Sequence, residues 1–168
     1  RAMKAYASLL SNLGHARVQR NRQAEALVAF DLARQTWHRL DKQEPGGKFR
    51  EMEAAMLSKI AAIEYRHVRD LPRAMRTACR AREIMEVVVS EHPRDSTSQL
   101  LLADALRAEG HFNRLAVQPV QAAPLFERAI AIVSGYVDSH PEDMAAKEEL
   151  GSASLELAQM LAAWNTSL

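Results

Sequence analysis

A single cysteine, Cys79, leaves this 168-residue chain unable to form an internal disulfide, and nothing in it signals an oxidising compartment. Aromatic residues make up only 5% of it, and there are six glycines. Alanine and leucine fill the apolar positions instead, which suits close packing of helix on helix. No charge sign dominates: 22 basic residues face 21 acidic ones, for a net charge of +1. A general binder of nucleic acid or of membrane surfaces needs a clear basic excess, so both classes are set aside. No apolar run reaches the roughly 20 residues that cross a bilayer as a helix, so no membrane insertion is expected. Strict apolar–polar alternation is also missing, and with it any sign of a strand. There is no P-loop, dinucleotide fingerprint, Gly-x-Ser-x-Gly elbow or zinc signature. The chain opens at Arg1 without an initiator methionine or signal peptide. It therefore reads as a piece of a larger protein, with a cytoplasmic location expected.

What the chain does contain is a repeat. Shifted by 48 residues, it falls on itself in register. Ala26, Ala74 and Ala122 align, as do Phe30, Ala78 and Phe126, and Ala33, Ala81 and Ala129. Gly14, Ala62, Gly110 and Ala158 form a column of small residues, and Pro45, Pro93 and Pro141 a column of prolines. His92-Pro93-Arg94-Asp95 returns as His140-Pro141-Glu142-Asp143. Such self-similarity marks a helical-repeat protein. Each unit cannot bury its apolar face alone, so the units stack.

Helical periodicity then divides the chain into seven helices. The first covers residues 1–19, with an apolar stripe of Tyr6, Leu9, Leu10, Leu13 and Val18. Asn21 is placed to cap the second through its side-chain oxygen. That helix, about Gln23 to Leu40, carries Ala26, Leu27, Phe30, Ala33 and Trp37 on one face. Pro45-Gly46-Gly47 breaks the pattern. The third helix follows over about Phe49 to Val68, and Asp70 reads as the N-cap of the fourth, about Pro72 to Ser90. The fifth, about Pro93 to Leu115, opens at Pro93, with Asp95 in its first turn near the positive end of the helix dipole. The sixth spans about Val120 to Asp138, and the seventh about Pro141 to Trp164. These helices make a single domain over 1–168, with repeats at about 1–44, 45–92 and 93–140 and a final half-repeat at 141–168.

The small-residue and alanine columns resemble the tetratricopeptide repeat (TPR). That family pairs helices A and B, with Leu-Gly late in helix A and Ala…Phe…Ala along helix B. Leu13-Gly14 followed by Ala26, Phe30 and Ala33 matches this spacing, as do Gly110, Ala122, Phe126 and Ala129. In the middle repeat Ala62, Ala74, Ala78 and Ala81 keep the spacing with the phenylalanine shrunk. The period is 48 rather than the family's usual 34 or so, which lengthens both helices by about two turns. In this it is similar to extended arrays of bacterial signalling proteins, notably those downstream of serine/threonine kinase domains. The resemblance implies an all-α, right-handed α-solenoid of antiparallel helix pairs, with small residues letting the helices approach and the aromatic filling the gap between neighbouring repeats.

In the family, one face of helix A lines a concave groove that takes a partner segment. Counted from the Gly14 column, those positions are Ser8, Ser11, His15, Val18 and Gln19 in the first repeat. The second supplies Met56, Lys59, Ile63, Arg66 and His67, and the third Asp104, Arg107, His111, Arg114 and Leu115. Lys59 aligns with Arg107, Arg66 with Arg114, and His15 with His111. The candidate binding residues are thus His15, Lys59, Arg66, His67, Arg107, His111 and Arg114. A basic groove on a nearly neutral chain favours an acidic or phosphorylated protein segment, because guanidinium groups bind such oxygens bidentately. The alternative is that these charges only solvate an exposed helix face. The asparagines of the family's chaperone clamp are replaced by His15 and Ile63, so that activity is not carried over.

No cofactor, metal or catalytic residue is expected. His92 and His140 sit beside proline without a second ligand at i+4, which reads as turn chemistry. Cys79 lacks an activating neighbour, the methionines follow the core spacing, and Glu51, Glu53 and Glu64 form no coherent carboxylate pair. The function expected is that of a protein-interaction module, the regulatory or scaffolding part of a larger signalling protein. The alternative is self-association through an exposed end, such as the seventh-helix face with Leu150, Leu157 and Leu161. Charge reversal at Lys59, Arg66, Arg107 and Arg114 together is expected to abolish binding without affecting folding.

Overall fold

The computed structural model describes residues 1–45 and 47–165. Gly46 of the Pro45-Gly46-Gly47 break and the last three residues of the final half-repeat lie outside the described residues. Among the described residues the fold is all-α, with no strand. In chain order the helices are α1 (Ala2–Gln19), α2 (Gln23–Gln43), α3 (Gly47–Ile63), α4 (Leu71–Glu91), α5 (Ser96–Leu115), α6 (Pro119–Ser139) and α7 (Met144–Asn165). A π-helical turn, Glu64–Val68, prolongs α3. No helix is long and apolar enough to cross a membrane among the described residues.

The chain divides into two compact units, Arg1–His92 and Pro93–Leu168. The division falls where the sequence places the boundary between the second and third repeats. In the first unit α1 to α4 pack in succession, each on the next. Its core joins Ala7 and Leu10 of α1, Phe30, Ala33 and Trp37 of α2, and Met56, Ile60 and Ile63 of α3. Gly14 explains how α1 and α2 come so close. A Cβ there would stand 2.5 Å from the Phe30 ring, where no real contact is tolerated. The aromatic of the repeat thus lies over the glycine of its own pair, rather than only bridging to the next. In the second unit α5 packs on α6 and α6 on α7. Gly110 again faces the aromatic, with its added Cβ 3.2 Å from Phe126.

Non-glycine residues with positive φ are Asn21, Arg69 and Val117, at 56°, 59° and 57°. They are spaced by the 48-residue period, and each closes the turn between a first and a second helix of a pair. This corrects the expectation for Asn21, which is the left-handed turn residue, while Arg22 stands at the α2 N-cap without a side-chain cap bond. The αL conformation costs other residues more than asparagine, and tight turns retain it because packing of the two helices fixes the chain. Asp70 does cap α4, accepting from the Arg73 N–H at 2.9 Å. Asp95 caps α5 by accepting from the Thr97 N–H at 3.1 Å, so the helix begins at Ser96 and Pro93 lies outside it. Asp143 plays the same part for α7, accepting from the Ala146 N–H at 3.0 Å. In the Pro-x-Asp sequence the aspartate, not the proline, sets the helix start.

The apolar stripe expected on α1 also needs correcting. Tyr6, Leu9 and Leu13 are 52%, 64% and 39% exposed, while Ala7, Leu10 and Gly14 are buried. Leu10 of the expected stripe is buried, but close approach to α2 selects the side that carries Ala7 and Gly14, and Tyr6, Leu9 and Leu13 face outward. One period later the equivalent residues, Ala54, Leu57 and Ala61, are buried on α3, which has α2 before it. On α7, Leu157 and Leu161 pack partly buried against Ala122, Phe126 and Met160, so the face expected to be free for self-association serves this core.

A basic cleft in the first unit

The last turns of α1, the start of α2 and the C-terminal half of α3 with its π turn enclose a cleft of about 380 Å³. Its floor is apolar, with Val18, Phe30, Ala62 and Ile63 among the lining residues. Its rim carries His15, Lys59, Arg66 and His67, all four exposed, and no acidic residue lines it. Local structure explains why these four converge. Lys59 lies on α3 and Arg66 seven residues on, in the π turn that prolongs it, and both line the same cleft. The small column at Gly14 and Ala62 holds the helices close beneath them.

Lys59, Arg66 and His67 make no hydrogen bond or ion pair among the described residues. His15 is oriented from two sides. Its Nδ1–H donates to the Ser11 carbonyl at 2.8 Å, and its ring meets Phe30 edge-on at 5.1 Å between centroids. That bond leaves Nε2 as the ring's free acceptor when the imidazole is neutral. Gln23 Oε1, also at the cleft, is buried with no hydrogen-bond partner among the described residues.

The second unit treats its candidates differently. Arg107 pairs with Glu149 and, at 3.2 Å, with Glu156, both on α7. His111 Nδ1 lies 3.4 Å from Glu156 Oε2 and 3.3 Å from Arg114 Nη2. Its Nδ1–H tautomer serves the glutamate and its Nε2–H tautomer receives from the arginine. Arg114 lines a smaller cleft of about 250 Å³ with Val117, Pro119, Gln159, Met160 and Trp164. This cleft stands at the same place in the repeat as the first, since Val18 and Arg114, Gln23 and Pro119, and Ile63 and Gln159 are 96 residues apart, two periods. The seven candidates therefore fall into two sets. His15, Lys59, Arg66 and His67 surround one cleft, over which Lys59 and Arg66 carry unpaired charge, whereas Arg107 and His111 are held by the carboxylates of α7 and Arg114 lies beside His111 at the smaller cleft.

The four-site charge reversal expected to spare folding consequently needs correcting. Arg107→Glu would set three carboxylates together on α5 and α7. Unfolding of the variant is expected to fall by roughly 1–2 kcal/mol, allowing for solvent screening of this half-buried pair. Chemical denaturation would check this, and an unchanged midpoint would remove the ion pairs from the account of α7 docking.

Burial holds the His111 pKa below the ordinary imidazole value, Glu156 opposes the shift by its hydrogen bond and charge, and Arg114 and Arg107 add to it. The unfolded chain then binds the proton first as pH drops. His111 thus costs stability as pH falls below about 6.5, until its folded form is also protonated. An NMR titration is expected to place its midpoint below 6.5, and His111→Gln to remove this part of the pH slope. A midpoint above 6.5 would mean that Glu156, not burial, governs the site.

Of the three glutamates that form no coherent pair in the sequence, Glu53 and Glu64 are buried, which their spacing does not show. Glu53, 5% exposed, lies 3.0 Å from His38 Nδ1 and 3.7 Å from Arg34. Glu64, 1% exposed, lies at the head of the π turn. Its only sequence signal is the 48-residue column Ala16, Glu64, Phe112, Met160, in which it alone is charged.

Fold and site define an all-α helical-repeat protein with a basic, apolar-floored cleft. No protein-family model and no curated protein matches the chain. Among solved structures, it is similar to the crystal structure of BtubC (BKLC) from P. vanneervenii, with a TM-score of 0.57 and 17% sequence identity. The match covers 95% of this chain and 64% of that one, so this chain spans less than two thirds of its length. The likeness is one of fold.

Proposed function

We propose that this chain is a protein-interaction module of the tetratricopeptide type, in its extended 48-residue form, and that the first unit's cleft takes an acidic or phosphorylated segment of a partner protein. The observation that carries the reading is the set of unpaired cations, Lys59 and Arg66, over an apolar floor with no acidic residue in the lining. A carboxylate or phosphate would pair with them, and an adjoining apolar side chain would fill the floor. On this reading the module binds rather than catalyses, and serves as a regulatory or scaffolding part of a larger bacterial signalling protein. The 48-residue columns and the Gly14–Phe30 and Gly110–Phe126 contacts support the family assignment.

The test is affinity capture from a lysate of the source cells, with wild type and a Lys59→Glu/Arg66→Glu variant as baits. A partner held by wild type and lost by the variant supports the cleft. A partner held equally by both moves the binding surface elsewhere. Capture of the protein alone favours the second reading, self-association, for which the exposed α1 stripe of Tyr6, Leu9 and Leu13 speaks.

A further inference from the structure

The three first-of-pair helices end in the same left-handed turn, at Asn21, Arg69 and Val117. They are not wound alike. After the first, the Arg22 N–H donates to the carbonyl of Arg17 at 2.8 Å, and after the third the Gln118 N–H donates to that of Asn113 at 2.9 Å. Both bonds reach back five residues. After the second, the Asp70 N–H reaches back six, to the carbonyl of Glu64 at 3.0 Å, and the last turn widens to a π-helix over Glu64–Val68. The departure begins at the one charged residue in its repeat column.

Glu64 is also where a side chain could impose such winding. Its carboxylate is buried and accepts from Thr77 Oγ1 at 2.7 Å, and it pairs with Arg73 Nε at 2.5 Å. Both partners belong to α4, and the Arg73 backbone is itself tied to the Asp70 cap. The carboxylate, the cap and the left-handed residue Arg69 therefore close one loop around the turn. Inside that turn lie Arg66 and His67, two of the four rim residues of the basic cleft. π turns inserted in α-helices shift every following side chain around the axis, and they concentrate at functional sites.

We infer that Glu64 is a positioning residue for the cleft: its bonds to Arg73 and Thr77 widen the end of α3 into a π turn, and this winding aims Arg66 and His67 at the ligand. An apolar residue at position 64 would leave an ordinary α-helical end like those of α1 and α5. The column already accepts methionine at Met160 on α7, so Glu64→Met can keep the core filled. The inference rests on the proposed use of the cleft only for its last step; the winding itself is a property of the free protein.

The experiment compares wild type, Glu64→Met and Glu64→Gln by NMR. Through-hydrogen-bond coupling is expected from the Asp70 nitrogen to the Glu64 carbonyl carbon in wild type. In Glu64→Met it is expected to move to the carbonyl of residue 65, with loss of the NOEs that place the His67 ring at the cleft. Glu64→Gln keeps an acceptor for Thr77 and is expected to lie between the two. Should Glu64→Met not fold, Thr77→Val and Arg73→Gln loosen the same carboxylate from the α4 side and should shift the same coupling. Tetraglutamate, titrated as a probe anion, is expected to bind Glu64→Met about tenfold more weakly than wild type. An unchanged 70-to-64 coupling in every variant would overturn the clamp. A moved coupling with unmoved His67 NOEs would overturn the positioning role. If wild type fails to bind tetraglutamate, the acidic-ligand reading fails, while the coupling and NOEs still decide the clamp.

Discussion

Phe30→Ala is expected to lower the unfolding free energy of the first unit by about 3–5 kcal/mol. The ring is 1% exposed and is shared between α1 and α2, with Met56, Ile60 and Ile63 of α3 in the same core. Removing it empties a volume that rigid neighbouring helices close only in part. Gly14→Ala alone should also destabilise, because its Cβ would enter the ring's space. Combined, the two changes should be less harmful than their sum, since the smaller residue at 30 makes room for the larger one at 14. The chain already contains this combination: one period on, the same two positions are Ala62 and Ala78, and Ala78 is buried. A double-mutant cycle by chemical denaturation measures the coupling. A Phe30→Ala loss under about 1 kcal/mol, or strictly additive effects, would refute the packing account.

That pairing shows why much of the fold was legible in the sequence. A glycine that must be small because an aromatic covers it leaves two correlated columns at one period, and these appear without any structure. The helix count followed from the same columns. The features that were misread are those for which residue type is a poor guide. On α1, Tyr6, Leu9 and Leu13 look as much a part of the apolar stripe as Leu10, yet proximity to α2 decides for the side of Leu10 that carries Ala7 and Gly14. The turn residues Asn21, Arg69 and Val117 share a backbone conformation but no chemistry, so their column is invisible until φ is known.

The candidate site was legible in its positions but not in its charges. Register placed His15, Lys59, Arg66 and His67 on one face, and the structure brings them to one cleft. The same register treated Lys59 and Arg107 as equivalent. Whether a cation is free depends on what the neighbouring helix offers it, and only α7 brings Glu149 and Glu156 to Arg107. Glu64 illustrates the reverse. A buried carboxylate and an exposed one look alike in sequence, and the partners that make burial tolerable, Arg73 and Thr77, lie on another helix.

Lys59→Glu/Arg66→Glu is expected to weaken binding of the captured partner by at least about 100-fold while leaving the melting temperature nearly unchanged. Each charge-assisted contact to a carboxylate or phosphate is worth roughly 1.5–3 kcal/mol, and reversal replaces attraction with repulsion at both positions. Stability should move by no more than about 0.5 kcal/mol, because both side chains are exposed and neither has an ion-pair partner among the described residues. Net charge falls by four in this variant, which alone would slow encounter with an acidic partner. The control is therefore Arg39→Glu/Arg76→Glu, which changes net charge equally at exposed positions outside the cleft. Local pairing predicts that the control binds within a few-fold of wild type and that only the cleft variant loses its dependence on salt. Equal weakening by both variants would show that the long-range field of the protein, and not the cleft, recruits the partner. Retention of binding by the cleft variant would leave Lys59 and Arg66 as solvated charges on a helix face.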